Sequence, residues 1–146
     1  MNVITQPTAD ELGADFARRD GFMQQLGIER LKTGPGSSQL RMTVRAEHLN
    51  FNGTMHGGAL FSLADSAFGL ASNSHGILSA GIDVHMTYQA AAFEGDVLTA
   101  TATEMSRSRK IAVYRVDVTG KDGVMVGGFT GTVYITGKPN HKLSGG

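Results

Sequence analysis

The chain has no cysteine and no tryptophan among its 146 residues. Without cysteine, disulfides, thiol nucleophiles and zinc-thiolate sites are all excluded, and the composition suits a reducing compartment. An excess of charge of either sign is missing too. Lys and Arg number 13, Asp and Glu number 13, and the formal net charge is zero. No global field is present to gather nucleic acid or to coat an anionic membrane, so only local basic clusters are left for such work. The same neutrality leaves self-association unopposed by charge. No apolar stretch approaches the length of a membrane span. The start, Met1-Asn2-Val3-Ile4-Thr5-Gln6-Pro7, lacks the basic-then-apolar order of a signal peptide. The expectation is a cytoplasmic protein with no nucleic-acid or membrane partner. Hydrophobic residues at 40% and charged residues at 18% fit one globular domain over 1–146, without repeats or low-complexity segments.

What the chain does have is clear patterning. Thr8-Ala9-Asp10-Glu11 has capping-box spacing, and Leu12 and Phe16 supply an apolar stripe. Arg18-Arg19-Asp20-Gly21 closes that pattern, predicting a short helix over about 8–20. From Leu26 a first strand is expected to about residue 33, then a hairpin turn at Gly34-Pro35-Gly36-Ser37. Leu40, Met42 and Val44 alternate with polar residues, as do Ile82, Val84, Met86 and Tyr88, so each run predicts a strand with one apolar face. Further strands are expected over Val97 to Glu104, Ile111 to Thr119 and Val124 to Thr136, separated by turns at Glu94-Gly95-Asp96 and Lys121-Asp122-Gly123. The tail, 137–146, reads as loose.

Between the second and third strands lies a helical segment, about 57–74. Leu60, Leu63, Ala64, Ala67, Leu70 and Ala71 mark one face, while Phe61 and Phe68 fall off it. A helix apolar on most of its circumference is expected to be buried, wrapped by a sheet and in part by a partner. With no βαβ repetition, the sheet is expected to be mainly antiparallel around this central helix, an α+β class.

The loop Asn50-Phe51-Asn52-Gly53-Thr54-Met55-His56 runs straight into Gly57-Gly58 at the helix start. There, unpaired N–H groups and the positive end of the helix dipole meet two residues without Cβ, which is what an oxyanion site in acyl transfer requires. The same glycines also suit a tight strand-to-helix bend. Asp65 is the only ionisable side chain of the segment. Such a lone acid is a functional candidate, or else a structural residue bonded to backbone, Ser62 or Ser66. His56 beside the cap reads first as structural. The other histidines show no metal-ligand spacing, and neither G-x-S-x-G nor a P-loop is present. Arg107-Ser108-Arg109-Lys110 is a basic turn, solvated or else gripping phosphates with help from Lys138 and Lys142.

The run His56-Gly57-Gly58-Ala59-Leu60-Phe61-Ser62-Leu63-Ala64-Asp65-Ser66-Ala67-Phe68 closely resembles the signature of PaaI-type (phenylacetic acid degradation) hotdog thioesterases, with Asn50 at the family's spacing from His56. The resemblance covers about residues 26–135. It implies a hotdog fold and hydrolysis of acyl-CoA, with phenylacetyl-CoA or a hydroxylated phenylacetyl-CoA as the substrate. It further implies Asp65 as nucleophile or general base, Gly57 N–H polarising the thioester carbonyl, His56 nearby, and Asn50 positioning the carbonyl or water. Gly58, Arg107, Arg109 and Lys110 are the expected contacts to substrate and CoA. No cofactor or metal is implied. An animal branch of the family carries serine where this chain has Gly81, and neighbouring families carry Glu at the Asp65 position.

A helix rises 1.5 Å per residue, so Gly57 and Asp65 lie about 12 Å apart along the axis. Both must reach one carbonyl, at roughly 3 Å. If both act, they come from different copies of the helix, which predicts an obligate homodimer with two shared sites. The resemblance implies a dimer of dimers. A hotdog hydratase is the rival enzyme, and an acyl-CoA-binding sensor without turnover is the rival of another class. The H-G-G start argues against the first and Asp65 against the second.

Overall fold

The computed structural model describes residues 5–142. Helix α1 spans Ala9–Arg19, with the Thr8 hydroxyl accepting from the Glu11 N–H at 3.1 Å. The expected stop at Asp20-Gly21 holds, and a second helix that was not expected follows it at once. Asp20 ends α1, and its carboxylate caps a second short helix, α2 (Gly21–Leu26), by accepting from the Met23 N–H at 3.0 Å. Leu26 is therefore helical, and strand β1 begins three residues later, at Glu29–Gly34.

Strands β2 (Ser37–Thr43), β3 (Ile77–Tyr88), β4 (Val97–Arg107), β5 (Ile111–Thr119) and β6 (Met125–Pro139) complete one six-stranded sheet of order β1-β2-β4-β5-β6-β3. Every pairing is antiparallel. The predicted loose tail begins inside β6. Beyond it, Asn140 donates to the Asn73 carbonyl at 2.9 Å and fastens the chain as far as the described residues go.

Helix α3 (Gly57–Ser72) packs on one face of the sheet. All six residues of its expected apolar face are buried. Phe68, expected off that face, is buried as well. Its ring enters the sheet where a Cβ on Gly131 would stand 2.7 Å from it, so the absence of a side chain at Gly131 is what admits the ring. Phe68, Phe129 and Tyr114 form a chain of tilted and edge-on aromatic contacts at the centre of the core. Phe61 packs more shallowly on Phe129, at 5.7 Å between ring centres.

The rest of α3 departs from the expectation of burial. Gly58, Ser62, Asp65 and Gly69 form an outward stripe that the sheet does not cover, with Gly58 and Asp65 exposed. Strand β3 departs in the same way. Of its predicted apolar face only Met86 packs partly on the core, while Ile82 is 60% and Tyr88 56% exposed in the single chain, and β3 is an edge strand with only β6 beside it. A long edge carrying exposed apolar side chains is a surface that folded proteins normally cover.

Candidate active site

The approach to α3 is built by local hydrogen bonds. The Asn50 side chain closes its own loop: Oδ1 accepts from the N–H groups of Asn52 and Thr54 at 2.9 and 3.2 Å, and Nδ2 donates to the Thr54 hydroxyl at 3.1 Å. This is an Asx-type turn that sets the path of the loop. Met55 N–H then donates to Ala92 O at 2.8 Å and His56 N–H to His48 O at 2.7 Å, which pins the first turn of α3 to the body of the fold.

His56 is the N-cap of α3, its Nδ1 accepting from the Gly58 N–H at 2.8 Å. With Nδ1 accepting, the ring proton sits on Nε2. The histidine therefore has the capping role that the sequence suggested first. The bond occupies the Gly58 N–H within the cap. The Gly57 N–H has no acceptor among the described residues, and it stands at the positive end of a 16-residue helix. A cavity of about 350 Å³ opens beside it, lined by Met55, Leu60, Tyr88 and Ala90 among others.

Asp65 faces outward, two turns further along α3. Neither serine proposed as its structural partner bonds to it: Ser62 donates to Gly58 O at 2.8 Å and Ser66 to Ser62 O at 2.7 Å. The carboxylate has no hydrogen-bond partner among the described residues. Although the side chain reaches the surface, partial burial and then the charge of Asp20 push its pKa above the ordinary 3.8. A carboxylate that is unpaired and raised has no evident structural task.

The basic turn divides in two. Arg107 is half-buried, its Nη1 3.8 Å from Glu104 Oε1. Glu104 also accepts from the Tyr114 hydroxyl at 2.6 Å and pairs with His75 Nε2 at 2.8 Å. Burial works to raise the Glu104 carboxyl, but these hydrogen bonds outweigh it and leave its pKa lowered. Arg107 thus lies beside an internal network, its Nη1 buried without a hydrogen-bond partner among the described residues. Arg109 and Lys110 are exposed, with Lys110 Nζ 5.8 Å from the centre of the Tyr134 ring. His75 follows the end of α3, so this cluster lies at the helix end opposite Gly57. The 16 residues of α3 make that separation about 24 Å.

Sequence reasoning missed two neighbours. Tyr88 lies against Gly57, its Cε1 3.3 Å from where a Cβ would be. Asp20 acts on Asp65 through its charge. Both proximities are tertiary, and neither residue carries a local sign of them.

An antiparallel sheet wrapped on one long helix, with a glycine-led helix start and an outward acid two turns on, is the architecture of hotdog thioesterases. Comparison with known proteins bears this out. The family model described as the thioesterase superfamily matches residues 52–126. The acyl-coenzyme A thioesterase PaaI of Escherichia coli is 34% identical over 118 residues, covering 81% of this chain and 84% of that protein. The solved structure of E. coli PaaI superposes with a TM-score of 0.85 at 31% identity, covering 88% of this chain and 93% of that one. A mutant form of the phenylacetic acid degradation protein PaaI from Thermus thermophilus is 43% identical with a TM-score of 0.76, over 79% and 98% of the two chains. A thioesterase protein of Streptococcus pneumoniae solved with coenzyme A is 31% identical with a TM-score of 0.74, over 77% and 91%. The chain belongs to the thioesterase superfamily, as a PaaI-type enzyme of the hotdog fold.

Proposed function

We propose that this thioesterase hydrolyses acyl-CoA to free acid and CoA, with phenylacetyl-CoA or a hydroxylated phenylacetyl-CoA as its substrate, at a site shared by two subunits. One observation carries the reading. α3 holds a free Gly57 N–H at its start and an unpartnered Asp65 carboxylate eight residues on, too far apart for one carbonyl. Antiparallel α3 helices related by a two-fold axis set Gly57 of one subunit against Asp65 of the other, twice per dimer. The exposed β3 edge and the outward stripe of α3 supply the surface for that pairing. A dimer of dimers belongs to the same proposal, as does a cytoplasmic setting.

In this site the Gly57 N–H polarises the thioester carbonyl. Asp65 then attacks the carbonyl carbon to give a mixed anhydride, with CoA leaving as thiolate, and water hydrolyses the anhydride. Alternatively, Asp65 takes a proton from the attacking water. Both routes need the carboxylate form. The roles also fit the basic cluster. The subunit that supplies Asp65 carries Arg109 and Lys110 at the C-terminal end of its α3, the end that points past its partner's Gly57 in an antiparallel pair. CoA phosphates are assigned there.

A medium- or long-chain acyl group is the second reading, and one observation favours it. A groove of about 1060 Å³ runs along α3 beyond Asp65, between Gly69, Leu70, Leu78 and Phe16. The test is a CoA-release assay with phenylacetyl-CoA, hydroxylated phenylacetyl-CoA, benzoyl-CoA and fatty acyl-CoAs, run on the wild type and on Asp65→Asn. Turnover confined to the aryl esters and lost in Asp65→Asn is the expected result. Binding without turnover of any ester refutes the reading.

A further inference from the structure

Tyr88 is the last residue of β3, at the end of the edge assigned above to subunit pairing, and in the single chain more than half of its surface is exposed. Its hydroxyl has no hydrogen-bond partner among the described residues. Tyr114 shows what a structural tyrosine of this fold does instead: it is fully buried and donates to Glu104 at 2.6 Å. The Tyr88 ring stands beside Gly57, close enough that a Cβ on the glycine would sit 3.3 Å from Cε1. It forms one wall of the cavity at the α3 start, which Met55, Leu60 and the run Ala90-Ala91-Ala92 also line. Thr54 and Gln89 add polar groups to the lining, and three alanines in succession leave the space open.

From this we infer that Tyr88 is a specificity-determining residue, its ring packing against the acyl group of a substrate whose carbonyl is held at Gly57. The inference rests on the acyl-CoA reading above and extends it to the acyl subsite. A carbonyl oxygen on the Gly57 N–H leaves the acyl substituent next to the ring, because glycine and ring are in contact. The cavity, about 350 Å³, lies near the bottom of the roughly 300–1,000 Å³ typical of small-molecule pockets. A compact group fills it, and an aromatic one gains an offset or edge-on contact with the tyrosine. The subsite therefore selects short aryl-acyl esters over long alkyl chains, which extend beyond the alanine wall.

The test measures kcat/KM for phenylacetyl-CoA, acetyl-CoA, hexanoyl-CoA and decanoyl-CoA with the wild type, Tyr88→Ala and Tyr88→Phe. Light scattering of each variant reports assembly. In Tyr88→Ala the ratio of phenylacetyl-CoA to acetyl-CoA is expected to fall about fivefold to tenfold, the scale of an aromatic contact and its buried area. The preference is expected to move toward the longer chains. Tyr88→Phe is expected to recover the phenylacetyl preference, since it keeps the ring. An unchanged ratio in Tyr88→Ala, equal losses on all four esters, or a Phe variant no better than Ala overturns the inference. Each of these leaves the thioesterase reading standing. A wild type that turns over none of the four esters overturns both.

Discussion

His56 Nδ1 accepts the Gly58 N–H at 2.8 Å, and by doing so it leaves the neighbouring Gly57 N–H as the free donor at the start of α3. Two adjacent glycines thus have different tasks. Gly58 has no side chain because a Cβ would meet the capping ring at 3.0 Å, whereas Gly57 faces the Tyr88 ring and the open cavity. In the proposed site the histidine acts through the backbone, by fixing the first turn of α3.

That role separates two substitutions at His56. His56→Ala removes the cap and is expected to cost about 1 kcal/mol of stability, with a fall in kcat as the first turn of α3 loosens. His56→Asn keeps an acceptor for the Gly58 N–H and is expected to retain more of both. Thermal melts and steady-state rates check this. Were the imidazole a proton-transfer group, Asn would lose as much activity as Ala.

Asp65 makes a prediction about stability as well as rate. Its pKa in the fold is raised above 3.8, first by burial and then by Asp20. Between the unfolded and folded pKa values the native state binds more protons, so stability falls as pH rises through that window and stays reduced above it. Asp65→Asn has no charge to penalise. It is expected to abolish turnover while melting higher than the wild type at pH 7, the gain shrinking as pH falls toward 3.8. The wild-type rate is expected to fall as the pH drops through the raised pKa, since both routes need the carboxylate. Melting curves across pH decide: an Asn variant that melts lower at pH 7 refutes the unpaired acid.

How much of this was legible beforehand follows from the range of each cause. The Thr8 cap, the turn at Pro35-Gly36 and the strand alternation at Leu40, Met42 and Val44 are local, and they stand as read. Asp20 ends α1 as read, but its second task as the cap of α2 was not legible, because a helix of only six residues is too short to show a period. Phe68 is buried, as expected of a helix apolar on most of its circumference, but the place its ring takes was not legible, because the glycine that admits it, Gly131, is 63 positions away in the chain. The apolar face of β3 was read correctly as apolar, but little among the described residues covers it. The candidate site residues were named through the motif, whereas the approach of Tyr88 to Gly57, and the meeting of Glu104 with His75 and Tyr114 beside Arg107, depend on tertiary contacts that carry no local sign.

Arg107 and Arg109 should therefore respond differently. Arg107→Ala removes a half-buried side chain beside Glu104 and is expected to lower the melting temperature with little change in KM. Arg109→Ala is expected to raise KM for CoA esters by up to about fivefold, the scale of an exposed ion pair, and the effect should fade at high salt. A short N-acetylcysteamine thioester lacks the nucleotide phosphates and is expected to show no such change. Equal KM increases for both thioesters would remove Arg109 from the phosphate site.

The shared site makes the most direct prediction. Asp65→Asn cannot supply the acid, and Gly57→Val blocks approach to its N–H while crowding the Tyr88 ring, so each homodimer is expected to be inactive. Unfolded together and refolded at equal concentration, half of the dimers are hybrids. In each hybrid, one site combines the intact Gly57 of the first chain with the intact Asp65 of the second, and the other site carries both defects. Activity is expected to recover to about a quarter of wild type, by counting sites across the two-fold axis. Mixing without refolding should recover less, because exchange then waits on dissociation. If both residues instead served the same chain's substrate, every site in the mixture would keep one defect, and refolding would recover nothing beyond the separate variants.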